Sequence, residues 1–133
     1  MFLNNLEKTQ KQLFIDLAIK AVEANDIIEI EEKNMLKCFA LEMDVQPRYK
    51  TEKGIDEILD DIVCISKIRD LKIIAFEILG ILFSDGEFDD CENSFTKYMI
   101  HKFGLSDEWI EEMITLLNDY TSVYKKICEQ IMK

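Results

Sequence analysis

Leu82-Phe83-Ser84-Asp85-Gly86-Glu87-Phe88-Asp89-Asp90-Cys91-Glu92 is the stretch on which the fold turns. An apolar helical run ends in Asp-Gly, a pair that tolerates the left-handed backbone with which a helix stops. Asp89-x-x-Glu92 then places a side-chain acceptor at an N-cap and a Glu at N3, a capping box, with Phe88 at N′ as a hydrophobic staple. The stretch therefore reads as helix, acidic turn, helix. Sixty residues earlier the same word recurs in Ala24-Asn25-Asp26-Ile27-Ile28-Glu29-Ile30-Glu31-Glu32. Laying residues 14–45 over 74–105 needs no gap. Asn25-Asp26 falls on Asp85-Gly86, Ile28 on Phe88, Glu29 on Asp89, Glu32 on Glu92, Met35 on Phe95 and Val45 on Leu105. The expected architecture is all-α, a duplicated helix–acidic turn–helix hairpin.

The two turns also hold almost all the charge. Residues Glu23 to Glu32 carry five acids and no base, and residues Asp85 to Glu92 carry another five. Together they account for −10 of the net charge of −11, leaving 17 acids against 16 Lys and Arg in the rest of the chain. This balance disfavours nucleic acid, whose phosphates repel such a surface, and disfavours insertion among anionic lipid headgroups for the same reason.

The remaining chain agrees with a helical domain. Its 133 residues suffice for one core without disulfides or a structural metal. One Pro and four Gly supply too few turns for a sandwich or barrel. The expectation is a single domain over 1–133 with six to seven helices. A first helix is predicted from about Leu6 to Ala24, with Leu6, Leu13, Phe14, Leu17, Ala18 and Ala21 inward and Lys8, Lys11, Asp16, Lys20 and Glu23 outward. A second follows near Ile30 to Met43, then a loop over Asp44 to Gly54 containing the only Pro. A third is expected over about Ile55 to Ile68. Asp70 is the expected N-cap of a fourth, Leu71 to about Phe83. There Glu77 reads either as a buried carboxylate in an apolar run or, the favoured reading, as part of a narrow solvent stripe with Asp70, Gly80 and Ser84. A fifth, opened by Asp89 or Asp90, stops at Phe103, where Gly104 and Leu105 form a Schellman-type end. Ser106 caps the last helix, Asp107 to about Ile131, about 25 residues or ~37 Å long.

On that last helix Trp109, Met113, Leu116, Tyr120, Val123 and Ile127 recur every three or four residues, close to a heptad seam. Ile110, Ile114, Leu117, Tyr124 and Cys128 widen the stripe, which favours packing in the core over a two-stranded coiled coil. The end beyond Tyr124 is left free to overhang and meet a second copy. Cys38, Cys64, Cys91 and Cys128 lack metal-site spacing, and the chain has one His. Cys38, Cys64 and Cys128 fall on apolar stripes and are expected to be buried thiols in a reducing cytosol. The start of the chain shows no signal-peptide pattern, and the most apolar run, Ile73 to Phe83, is about half the ~20 residues of a membrane span.

The turns invite comparison with a calcium-binding EF-hand. Asp85, Gly86, Phe88 and Glu92 match its loop positions 5, 6, 8 and 12, but positions 1 and 3 would be Ile81 and Phe83, which cannot coordinate a cation. A true EF-hand is not expected. Capping accounts for Asp89 and Glu92 but not for the crowding of Asp26, Glu31, Asp85, Glu87 and Asp90. If a cation sits among them, the candidate ligands are Asp85, Glu92, Asn25 and Glu32, with Asp26, Glu87 and Asp89 adding charge. Hard oxygen donors of this kind favour Ca2+ or Mg2+ over zinc.

The pattern of apolar helix, Asp-Gly-acid-apolar, spacers, Glu and second helix, written twice over about Leu13 to Tyr120, resembles the tellurite-resistance TerB family. Residues 82–92 match most clearly. The first copy departs, with Asn25, Asp26 and Ile27 where the motif has Asp, Gly and an acid. The resemblance implies a bacterial cytoplasmic helical protein associated with stress and metal-ion resistance, whose acidic surface is proposed to bind divalent cations. It also implies an adaptor role toward protein partners, including membrane-associated stress complexes, with no established catalysis.

The residues themselves carry no catalytic signature. His101 lies in a last helical turn, where it suits the dipole, and no phosphate-cradling Gly loop or nucleophile elbow occurs. Three functions stay open. One is a non-catalytic adaptor that binds Ca2+ or Mg2+ weakly at the paired turns. Another is a metal-independent module whose acidic face docks a basic partner. The third is a helical homo-oligomer joined through the Trp109–Ile127 stripe.

Overall fold

The computed structural model describes residues 2–23, 30–82 and 90–133, with the side chains of Glu31, Asp90, Cys91 and Glu92 excepted. A short 3-10 turn (Leu3–Asn5) leads into six helices: α1 (Lys8–Glu23), α2 (Ile30–Met43), α3 (Ile55–Ile65), α4 (Ile68–Leu82), α5 (Asp90–Phe103) and α6 (Asp107–Ile131). No strand occurs among the described residues. Together they form one compact all-helical domain, as the composition predicts.

The core is built around α1, which packs on α2, α3 and α4. Residues 13 to 19 of α1 are buried without a break, so its inner turns have no solvent side. Asp16, expected on the outer face, is buried too. Its charge is met by Arg48 from the 44–54 loop, whose Nη1 donates to Asp16 Oδ1 at 2.8 Å while Nη2 donates to the Gln12 carbonyl at 3.0 Å. That clamp ties the loop to the central helix. Phe14 meets Phe39 of α2 edge-on at 5.4 Å.

α4 is the second buried helix, with Ile74, Ala75, Ile78 and Leu79 fully enclosed. It begins three residues earlier than the sequence suggests. Asp70 is not its N-cap but its N3 residue, and its carboxylate accepts the Lys67 N–H at 3.1 Å, the returning half of a capping box. The shift cuts α3 short at Ile65, because Lys67 belongs to the next helix's cap. Glu77, expected on a solvent stripe, is buried and accepts the Phe2 N–H at 2.9 Å.

Several features repeat at a spacing of sixty. α1 opens at Lys8 and α4 at Ile68. Gln10, at N3 of α1, accepts the N–H of Glu7 at 2.9 Å, as Asp70 does from Lys67. Gln10 and Asp70 also meet, the Gln10 amide donating to Asp70 Oδ2 at 3.1 Å and to Ser66 Oγ at 3.0 Å. Leu36, Ala40 and Met43 of α2 are buried, and so are Thr96, Ile100 and Phe103 of α5. Both helices stop alike. Asp44 N–H reaches Leu41 O and Val45 N–H reaches Ala40 O; Gly104 N–H reaches His101 O and Leu105 N–H reaches Ile100 O. Asp44 (φ 56°) and Gly104 (φ 70°) both take the left-handed conformation of a Schellman end.

α3 and α5 run parallel and side by side, Tyr98 donating to Asp56 and Lys102 to Asp60 at 3.3 Å, one turn further along both helices. α6 completes the domain against α4 and α5. Its start is as expected, with Ser106 Oγ accepting the Trp109 N–H at 3.1 Å.

Candidate docking surface on the last helix

The acidic turns that carry the predicted cation ligands lie mostly outside the described residues. Asn25, Asp26, Asp85, Glu87 and Asp89 fall there, as does the side chain of Glu92, while Glu32 is half-buried in the first turn of α2. Among the described residues no group of three or more His, Cys, Asp or Glu side chains is arranged to hold a metal ion. His101 is exposed on α5.

The most enclosed polar cluster is Gln10, Ser66 and Asp70. Burial alone would raise the Asp70 carboxyl. The Lys67 N–H, the Gln10 amide and the charges of Arg69 and Lys67 outweigh it and hold the group below the ordinary 3.8. The hydrogen bonds there serve helix ends and join α1 to α4, so the cluster is structural. At the α3–α5 edge the Tyr98 phenol is pushed up, first by its hydrogen bond to Asp56, and Lys102 is pushed up by Asp60.

The surface with an unmet physical demand is on α6. Its first half is anchored: Ile110 is buried, and Trp109, Met113, Ile114 and Leu117 pack against the core. Its second half is not. Leu116, Tyr120, Val123, Tyr124, Ile127 and Ile131 are 50–72% exposed. They follow the three- and four-residue spacing of one helix face, so they form a continuous apolar row rather than scattered surface hydrophobes. The Tyr120 and Tyr124 rings stack along it, centroids 6.3 Å apart and planes within 17°. The width of the stripe predicted core packing for this helix, and that holds only up to Leu117. The overhang expected beyond Tyr124 begins about two turns earlier. Length was the signal for it: at 1.5 Å per residue α6 is about 37 Å long, well beyond the other five helices.

The thiols also differ from expectation. Cys38 and Cys64 are exposed and Cys128 half-buried. Their stripes are the flanks of amphipathic helices, and the buried face lies to one side of them. Among the described residues no helix is long and apolar enough to cross a membrane.

Comparison with protein-family models, with curated proteins and with solved structures finds no match for this chain.

Proposed function

We propose that this chain is a non-catalytic interaction module that docks a protein partner on the outer half of α6. The exposed row from Leu116 to Ile131 carries the reading, because it is apolar, continuous and mounted on a helix whose other half is anchored in the core. Contiguous apolar surface of this kind is unfavourable in water and marks an interaction site.

The build we propose for it is TerB-like, a hairpin written twice. The sixty-residue correspondences support this: matching N3 acceptors at Gln10 and Asp70, matching Schellman ends at Asp44 and Gly104, and matching buried positions in α2 and α5. On this reading the chain serves as a cytoplasmic adaptor in stress or metal-ion resistance. Weak Ca2+ or Mg2+ binding at the paired acidic turns would modulate it. That part rests on the sequence of residues 23–32 and 85–92 and on the resemblance.

A photo-crosslinking amino acid introduced at Tyr124 tests the docking element in the living cell, with Ser122 and Glu129, off the apolar row, as control positions. Protein adducts are expected from position 124 and not from the controls. No adduct from any position, or equal adducts from all three, would remove α6 as the docking element.

A further inference from the structure

We infer that the partner of the α6 row is a second copy of this chain, paired antiparallel in a single register. This rests on the reading of α6 as a docking element and goes beyond it by naming the occupant. Written as a heptad, the row places Met113, Tyr120 and Ile127 at a and Leu116, Val123 and Gln130 at d. Ile110, Leu117, Tyr124 and Ile131 fall at e, all apolar, and Glu112, Asp119, Lys126 and Lys133 fall at g, all charged.

The order of charges at g is the informative part: two acids, then two bases. Between parallel helices each g residue faces an e residue of the partner five positions on. Asp119 would then lie against a Tyr124 and Lys126 against an Ile131, charge on apolar surface. Between antiparallel helices g faces g and e faces e. Asp119 of each copy then meets Lys126 of the other, the central layers pair Tyr120 with Val123 and Leu116 with Ile127, and Tyr124 comes against the part of Leu117 that its own core leaves uncovered. Lys133, just past the helix end, comes near Glu112 of the other copy. Sliding by one heptad sets Asp119 against Asp119 in one direction and Lys126 against Lys126 in the other. The slid registers still keep Glu112 against Lys126 or Asp119 against Lys133, so what distinguishes the first is that it alone sets no like charges together at g across the isologous two-fold interface.

Asp119 and Lys126 are exposed and take part in no ion pair among the described residues, so both are available. The six exposed apolar side chains, at roughly 100 Å² apiece, offer on the order of 600 Å² per copy, the low end of specific interfaces. Interfaces of that size are typical of weak, transient association, so the dimer is expected to be reversible.

The test is sedimentation of the full chain from submicromolar to high micromolar concentration under reducing conditions, with Asp119→Lys, Lys126→Glu and the double variant. Wild type is expected to dimerise. Each single variant should lose about tenfold or more in dimer affinity, since two symmetry-related pairs turn repulsive at once. An equimolar mixture of the two single variants should recover association as a heterodimer, and the double variant should recover it alone. Both side chains are exposed, so unfolding midpoints taken at submicromolar concentration, where every variant is monomeric, should match wild type and confirm that the fold is intact. Single variants that dimerise like wild type, or a mixture that stays monomeric, overturn the antiparallel register. A monomeric wild type overturns the second copy as occupant. The crosslink at position 124 then separates the two failures: an adduct of another mass keeps α6 as a docking element, and no adduct loses both.

Discussion

Substituting Gly104→Ala isolates the energy of one helix end. Gly104 holds φ +70°, and a Cβ built there meets nothing within 4 Å, so the change adds no steric contact. What it adds is the cost of a left-handed L-residue, about 1–2 kcal/mol. Part returns because alanine restricts the unfolded chain, a gain of about 0.4–1 kcal/mol. The expected net loss is about 1 kcal/mol, or about 3–5 °C in midpoint for a domain of this size. The counterpart is Asp44→Gly. Relief of strain at φ 56° is nearly cancelled by glycine's extra unfolded entropy of about 0.5–1 kcal/mol, so the expected change is within about 0.5 kcal/mol of zero. Urea unfolding followed by far-UV circular dichroism reads both, provided the m-value is unchanged. If Gly104→Ala is as stable as wild type, the Schellman geometry contributes nothing and the reasoning fails. If Asp44→Gly costs more than about 1 kcal/mol, the Asp44 side chain rather than its backbone holds that end.

Three further outcomes are expected. Arg48→Met should destabilise by about 1.5–3 kcal/mol, because it leaves the buried Asp16 carboxylate without its charged donor while Arg48 itself is only partly enclosed; limited proteolysis should then cut within residues 44–54 first. Asp70→Asn should cost about 1 kcal/mol at neutral pH. The folded Asp70 carboxyl lies below 3.8, so its contribution is complete above that value and is lost as pH falls through the lower folded value. The difference in midpoint between wild type and Asp70→Asn should therefore be constant at neutral pH and close in the acid limb, and a gap that persists there would contradict the assignment. Millimolar Ca2+ or Mg2+ should raise the midpoint of EDTA-treated wild type but not of Glu92→Gln, by up to about 2.7 kcal/mol at a hundredfold excess over Kd; equal shifts in both would remove Glu92 as a ligand.

Local chemistry was readable wherever one residue answers to its immediate neighbours. Gly104 with Leu105 marks a helix end, and Ser106 marks the next start, because each signal is complete within four residues. Asp70 was placed correctly near a helix start but in the wrong role. N-cap and N3 acids differ only in which backbone N–H they accept from, and spacing alone does not distinguish them. Asp16 and Glu77 went to the wrong side of their helices for a different reason. Their partners, Arg48 and the Phe2 N–H, lie 32 and 75 residues away, and no periodicity carries that information. The apolar row of α6 was visible as a row. What sequence could not say is where the rest of the domain stops along it.

The outer half of α6 has to hold its shape with no tertiary face behind it. Thr121, Ser122, Val123 and Tyr124 are four successive residues of middling helix propensity, so those turns persist by propagation from the anchored half. Their helix–coil balance is therefore set locally and shifts with temperature independently of the body. Warming should fray this arm well below the melting of the domain. A partner seated on it would thus be lost gradually over a broad thermal range, while the rest of the molecule stays folded.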